Sequence, residues 1–403
     1  MSVTASDPRL TPTRQAPRKK FQLSWSDPRF RSLVWQVLII GVVVLIGWYL
    51  ASNTSRNLEQ RHIATGFDYL GRTAGIPIGE SLLPYSPSVN TYGWALLIGV
   101  LNTLRVAIVG VIIATILGTL IGIARLSKNW LVAKLAAVYV EVIRDIPVLL
   151  QLFFWYTLMQ GLPGPRQSLN PIPGVFLSNR GLKFPFIDWH DGYLWCLLAL
   201  AVGIVCTVVI RRKATEKQEA SGVRPTVWPA ILGSLVGLPL LAWLAVGAPF
   251  TPDVPALRGF NFAGGFSISP EYGALTFGLS IYTASYIAEI VRSGILAVAQ
   301  GQWEAAGALG LRNSLTLRKV VLPQALRVII PPMTSQFLNL TKNSSLAVAI
   351  GFQDIVSLAS TTLNQTGQAI EGIATIMAVY LVISLSISAF MNWYNARIAL
   401  VGR

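Results

Sequence analysis

The chain has 403 residues, a length that would suit two or three soluble domains, but 53% of them are hydrophobic and only 12% are charged. Its 32 Lys and Arg and 17 Asp and Glu sit in short clusters separated by long uncharged runs, among them those bounded by residues 31 and 56, 105 and 125, and 371 and 397. A bilayer-crossing helix needs roughly 20 mostly apolar residues, so this pattern predicts an all-α polytopic membrane protein and excludes a secreted, disordered or ordinary soluble fold.

The net charge of +15 is spread among the polar connections, with no concentrated basic face and no interleaved aromatics. A nucleic-acid partner is therefore not expected. Cys196 and Cys206 lie in one apolar segment. On a helix they would be ~15 Å apart, beyond disulfide reach.

In chain order, residues 1–32 form a polar, basic tail without periodicity, expected to be disordered, to anchor the topology and to lie near membrane lipid. About eight transmembrane helices are predicted: Leu33–Leu50, Leu101–Ala124, Tyr139–Gln160, Tyr193–Ile210, Val227–Val246, Gly273–Ile290, Val328–Ile350 and Ile373–Trp393. The first follows a long polar tail and no cleavage signal follows it, so it reads as a retained span.

Placing the N-terminus in the cytoplasm puts 22 Lys and Arg on that side against 7 on the other, with Arg105, Arg144 and Lys342 in or beside spans. That bias predicts a multi-pass protein with both termini cytoplasmic. The outer segments 51–92 and 161–192 are rich in Gly and Pro and read as loops. No internal repeat is apparent.

Charged groups within spans call for an explanation. In the seventh span Ser335, Gln336, Asn339, Lys342 and Asn343 fall within an arc of ~120° at helical spacing, opposite Phe337, Leu338 and Leu340. Such a stripe either lines a translocation pathway or joins helices by hydrogen bonds. Pro331 and Pro332 precede it and should kink or start the helix.

Glu141, Arg144 and Asp145 share one helical face before Pro147, where an internal ion pair competes with contact to a charged solute. Glu289 and Arg292 are spaced for a local salt bridge. Arg105, near the outer start of its span, is expected to snorkel to the interface. His62 and His190 stand apart without ligand spacing, so no metal site is expected. No GxxxxGK[ST], GxSxG or HExxH occurs, so no catalytic residue and no bound cofactor are predicted in this chain.

The longest inside connection, residues 292–327, carries the run Gly301-Gln-Trp-Glu-Ala-Ala-Gly-Ala-Leu-Gly310. Its alanines favour a short helix, and its small side chains let another surface approach closely. Proline 323 should end one element before the next span.

Here the sequence resembles a known family. Glu304-Ala305-Ala306, then Gly310, then Leu322-Pro323 match the EAA signature of bacterial ABC-transporter permeases in full spacing, with Val320 in place of the usual Ile. The resemblance covers 92–160 and 270–395. Within these, Leu101-Asn-Thr-Leu104, Tyr286-Ile-Ala-Glu-Ile-Val-Arg292 and Leu340-Thr-Lys-Asn-Ser-Ser-Leu346 look like the polar amino-acid uptake subfamily. Arg144-Asp-Ile-Pro147 departs from the usual Arg-Gly-x-Pro, and Lys342-Asn-Ser-Ser-Leu346 from Lys-Asp-Thr-Ser-Leu. The additional N-terminal span at 33–50 and two more in the 161–266 insertion resemble the permeases of general L-amino-acid transporters of Gram-negative bacteria.

The resemblance implies a type I ABC importer permease core in the bacterial inner membrane, moving L-amino acids into the cytoplasm. It also implies a heterodimer with a second permease subunit, a cytoplasmic ABC ATPase dimer carrying ATP-Mg, and a periplasmic amino-acid-binding protein. Glu304, Ala305, Ala306, Gly307, Gly310, Leu311, Leu322 and Pro323 would couple to the ATPase. Asn339, Lys342 and Asn343, with Arg144 and Asp145, would line the solute pathway. An ion-coupled secondary transporter is the competing class; it needs no EAA segment.

Overall fold

The computed structural model describes residues 25, 28–60, 65–223 and 225–398. Residues 1–24 of the basic tail, His62, Arg224 and Arg403 lie outside the described residues. The chain divides into two compact units. One comprises the chain up to Gly66 together with Thr366–Gln368, and its helix α1 (Pro28–Gln60) has none of its most apolar stretch buried.

The second unit holds everything else. Its first long helix, α2 (Tyr92–Ala124), starts where the Thr91 side chain accepts from the Trp94 N–H at 3.4 Å. That bond satisfies one of the donors every helix start leaves free.

The expected third span is two helices, α3 (Trp130–Asp145) and α4 (Val148–Gln160). Pro147 disfavours helical geometry in the residue before it, and Ile146 is extended at φ −91°, ψ 128°. The break strands backbone carbonyls that a low-dielectric interior cannot leave unpaired. Buried Gln151 supplies the donors: its Nε2 donates to the carbonyls of Ile143 at 2.8 Å and Ile146 at 2.9 Å.

The expected outer loop after α4 contains short strands instead. β1 (Leu169–Ile172), β2 (Val175–Ser178) and β3 (Gly181–Phe184) form an antiparallel run, followed by β4 (Phe186–Ile187). α5 (Gly192–Ser221) then packs against α6 (Trp228–Leu232) and α7 (Leu238–Ala245), which are joined by one π turn at Gly233–Gly237. The Thr207 and Ser234 hydroxyls share a hydrogen bond of 2.9 Å across this pair. The chain returns through β5 (Pro252–Asp253), β6 (Ala256–Arg258), β7 (Asn261–Ala263) and β8 (Phe266–Ile268). Because β8 pairs with β3 and β5 with β4, the two ends of the insertion close on each other and the helical hairpin projects between them.

α8 (Pro270–Leu296) is the central helix, with 67% of its most apolar stretch buried. It runs parallel to α2 at close range. A Cβ on Gly118 would meet Ile287 Cβ at 2.6 Å and the Ala284 carbonyl at 2.8 Å, and one on Gly122 would meet the Ala288 carbonyl at 2.7 Å. Small residues four apart let two backbones touch where lipid offers no hydrophobic drive to associate. Leu275, Leu279, Ile287 and Leu340 fill the core beside this contact.

After α8 come α9 (Gln300–Ala308), α10 (Asn313–Thr316), α11 (Leu322–Asn343), α12 (Ile355–Thr366) and α13 (Ala369–Ile398). Among the described residues, six helices are long and apolar enough to cross a bilayer, and a seventh span results if the pair bent by 52° between Ile350 and Ile355 counts as one. The eighth expected crossing is the one broken at Pro147. The fold class holds, with small antiparallel sheets added to it.

Candidate functional site: the coupling segment and the polar face of α11

α9 carries the first half of the EAA signature and ends in a closed cap. Gly310 stands at φ +73°, the left-handed region where a Cβ is strained. The Gly310 N–H donates to the Gly307 carbonyl at 2.9 Å, and the Leu311 N–H donates to the Ala306 carbonyl at 3.1 Å. These paired bonds form a Schellman cap, so the fourth signature residue is a glycine for backbone reasons.

The helix rests on its small side. Ala306 is buried and Trp303 packs on the core, while Glu304, Ala305 and Gly307 are exposed and Leu309 is 79% exposed. Leu311 is half-buried, as is Pro323, and Leu322 is 41% exposed.

Proline 323 does not end the element. Thr316 passes into a π turn at Leu317–Val321 and directly into α11, in whose first turn Pro323 sits. The Leu322 N–H donates to the Leu317 carbonyl five residues back, and Gln324 Nε2 donates to the Val320 carbonyl at 3.0 Å. Gln324 Nε2 also donates to Gln302 Oε1 at 3.2 Å, which ties α9 to α11.

α11 continues through Pro331 and Pro332 rather than starting there. Ile329, Ile330, Leu340 and Thr341 are buried, whereas Ser335, Asn339 and Lys342 are exposed and Asn343 is half-buried. The polar stripe thus faces away from this chain's own core. Among the described residues Lys342 enters no ion pair. Over its 22 residues α11 joins the EAA segment to the stripe, a reach of ~33 Å at 1.5 Å per residue.

Arg144 and Asp145 are exposed at the end of α3, and no ion pair joins them or Glu141 among the described residues. This corrects the expected internal pair. The Arg144 guanidinium lies instead over the Tyr286 ring on α8, 4.8 Å from its centre, since an aromatic face attracts a cation without a carboxylate partner. The structure therefore seats Arg144 on α8.

The expected Glu289–Arg292 bridge is present at 2.7 Å, and Arg125 from the end of α2 joins the same carboxylate. Sequence reasoning missed that third partner, which lies 164 residues away. Arg105 does not snorkel. Its side chain is 13% exposed, pairs with Glu80 at 2.9 Å and lies 3.9 Å from the centre of the Tyr272 ring. Its partner sits in a loop that no local pattern singles out.

Residues 225–400 match the family described as binding-protein-dependent transport system inner membrane component. Over 386 residues, covering 95% of this chain and 96% of the relative, the sequence is 52% identical to the general L-amino acid transport system permease protein AapQ of Rhizobium johnstonii. It is 51% identical over 387 residues to the putative amino-acid ABC transporter permease protein YhdX of Escherichia coli K12, covering 95% of this chain and 98% of that one. It is also 42% identical over 435 residues to the glutamate/glutamine/aspartate/asparagine transport system permease protein BztB of Rhodobacter capsulatus, covering 99% of each.

Proposed function

The chain belongs to the binding-protein-dependent transport system inner membrane components, the permeases of ABC transporters, and from that premise we propose that it forms half of the channel of an importer for L-amino acids. It is a multi-pass membrane subunit, and it leaves ATP-Mg hydrolysis to an ABC ATPase dimer in the cytoplasm. Its N- and C-termini face that side of a Gram-negative inner membrane. A periplasmic binding protein delivers the solute, and a second, related permease completes the channel.

The observation that carries this reading is the continuity of α11. One helix begins beside the capped α9, to which Gln324 ties it, and ends at a polar face turned away from this chain's own core. An ATPase pressing on Glu304, Ala305, Gly307 and Leu309 would move α9, and α11 would carry that movement to Asn339, Lys342 and Asn343. The second permease would complete a solute channel against this face. Arg144 and Asp145, exposed on α3, are weaker pathway candidates. Two-state switching between inward- and outward-open forms then follows from ATP-driven closure of the ATPase pair.

The test is reconstitution with the ATPase, the second permease and the binding protein, followed by uptake of labelled amino acids. Lys342→Met should reduce uptake while leaving assembly intact. Full uptake by that variant would return Lys342 to a packing role.

A further inference from the structure

Away from the EAA segment, the hairpin of α5 with α6 and α7 carries a small site of its own. Only 11% of the most apolar stretch of α5 is buried, and 6% of that of Trp228–Ala245. The hairpin therefore turns most of its apolar surface away from this chain. Residues 192–210 of α5 carry no charge, which is ~28 Å of helix at 1.5 Å per residue against a hydrocarbon layer of ~30 Å. Asp191 and Arg211 thus bracket the hydrocarbon, and Arg211 stands at headgroup level. Trp228, 66% exposed at the start of α6, suits the same level.

There a cavity of about 360 Å³ lies between the helices, lined by Arg211, Ala214, Thr215 and Gln218 of α5 and by Val227 and Ile231. The four α5 positions form one helical face. Thr215 donates its hydroxyl proton to the Arg211 carbonyl at 3.0 Å, which leaves the guanidinium and the Gln218 amide as the side-chain donors of the lining.

No carboxylate lines the cavity. Glu216 and Glu219 fall within ~40° of Arg212 at helical spacing, on a different face. Arg211 enters no ion pair among the described residues. One uncompensated cation and a neutral donor therefore stand beside the apolar wall of Val227 and Ile231. A guanidinium fork matches two oxygens of a phosphate. A headgroup that brings its own ammonium would find no carboxylate here, so an anionic headgroup fits better than a zwitterionic one.

We propose that this cavity binds the headgroup of an anionic phospholipid, its phosphodiester held by Arg211 and Gln218 and its glycerol carbons against Val227 and Ile231. The acyl chains would lie on the exposed apolar surface of the hairpin. Occupancy would brace α5 against α6 about one helical turn beyond the Thr207–Ser234 hydrogen bond. The assignment rests on the hairpin alone and stands whatever the chain transports.

The experiment is native mass spectrometry of the purified full chain in mild detergent, titrated with phosphatidylglycerol or with phosphatidylethanolamine of the same acyl chains. The expected result is tighter binding of phosphatidylglycerol, weakened about tenfold or more in Arg211→Gln, as loss of a hydrogen bond to a charged group predicts. Arg212→Gln makes the same charge change on another face and should retain the binding. Glycerol phosphate, which has no acyl chains, should not displace the lipid at equal concentration; displacement would mark a site for free phosphate esters and overturn the lipid assignment. Equal binding of the two lipids overturns the proposal, and so does equal weakening in the two variants or none in Arg211→Gln.

Discussion

The Leu311 N–H reaches back over Gly310 to the Ala306 carbonyl, at 3.1 Å, and so locks the end of α9 between the EAA triplet and the start of α10. The lock depends on the left-handed backbone of Gly310 at φ +73°, a conformation that costs an ordinary residue roughly 1–2 kcal/mol. A Cβ there would meet nothing within 4 Å. The glycine is required by conformation, with open space around it inside this chain.

That separates two explanations of a Gly310 variant. Gly310→Ala should weaken coupled uptake by straining the cap, while Gly310→Asn should retain more of it, since asparagine enters the left-handed region more readily. The measurement is uptake at matched membrane levels. If the small alanine is tolerated and the larger asparagine is not, docking space matters and the cap does not.

At the break between α3 and α4, one side chain replaces two backbone donors. Gln151→Leu would strand the carbonyls of Ile143 and Ile146 that Gln151 now serves. Leaving a buried acceptor unpaired costs about 1–3 kcal/mol, so the variant should unfold several degrees earlier in detergent. An unchanged unfolding temperature would mean the break satisfies itself by other means.

Glu289 holds both Arg125 and Arg292 where α2 and α8 approach their ends. Glu289→Gln should loosen this junction beside α9, and Arg125→Gln should do so less, because the Arg292 bond survives it. Hydrogen exchange of α9 and the end of α8 would show the graded effect. Equal protection in both variants would make the cluster a passive surface feature.

Much of this architecture is legible in the residues. Uncharged runs mark the spans, and the spacing of Glu304, Gly310 and Pro323 marks the EAA signature, because both depend on composition along a continuous stretch. Partners that lie far apart in sequence are not legible. Arg105 looks like an interfacial cation until Glu80 and Tyr272 fold around it, and Arg125 gives no hint of Glu289. The strands of the insertion escaped notice because they are 2–4 residues long, too short for alternation to register. Proline 323 signalled a stop, yet a π turn absorbs its missing donor and the helix runs on.

The most direct test is amino-acid uptake into proteoliposomes holding this chain with the second permease and ATPase proposed for it, with binding protein outside and ATP within. Uptake should require ATP, fall with vanadate and persist with a proton uncoupler. Uptake that ignores vanadate and collapses with the uncoupler would contradict an ATP-driven mechanism and place the α11 stripe in an ion-coupled transporter.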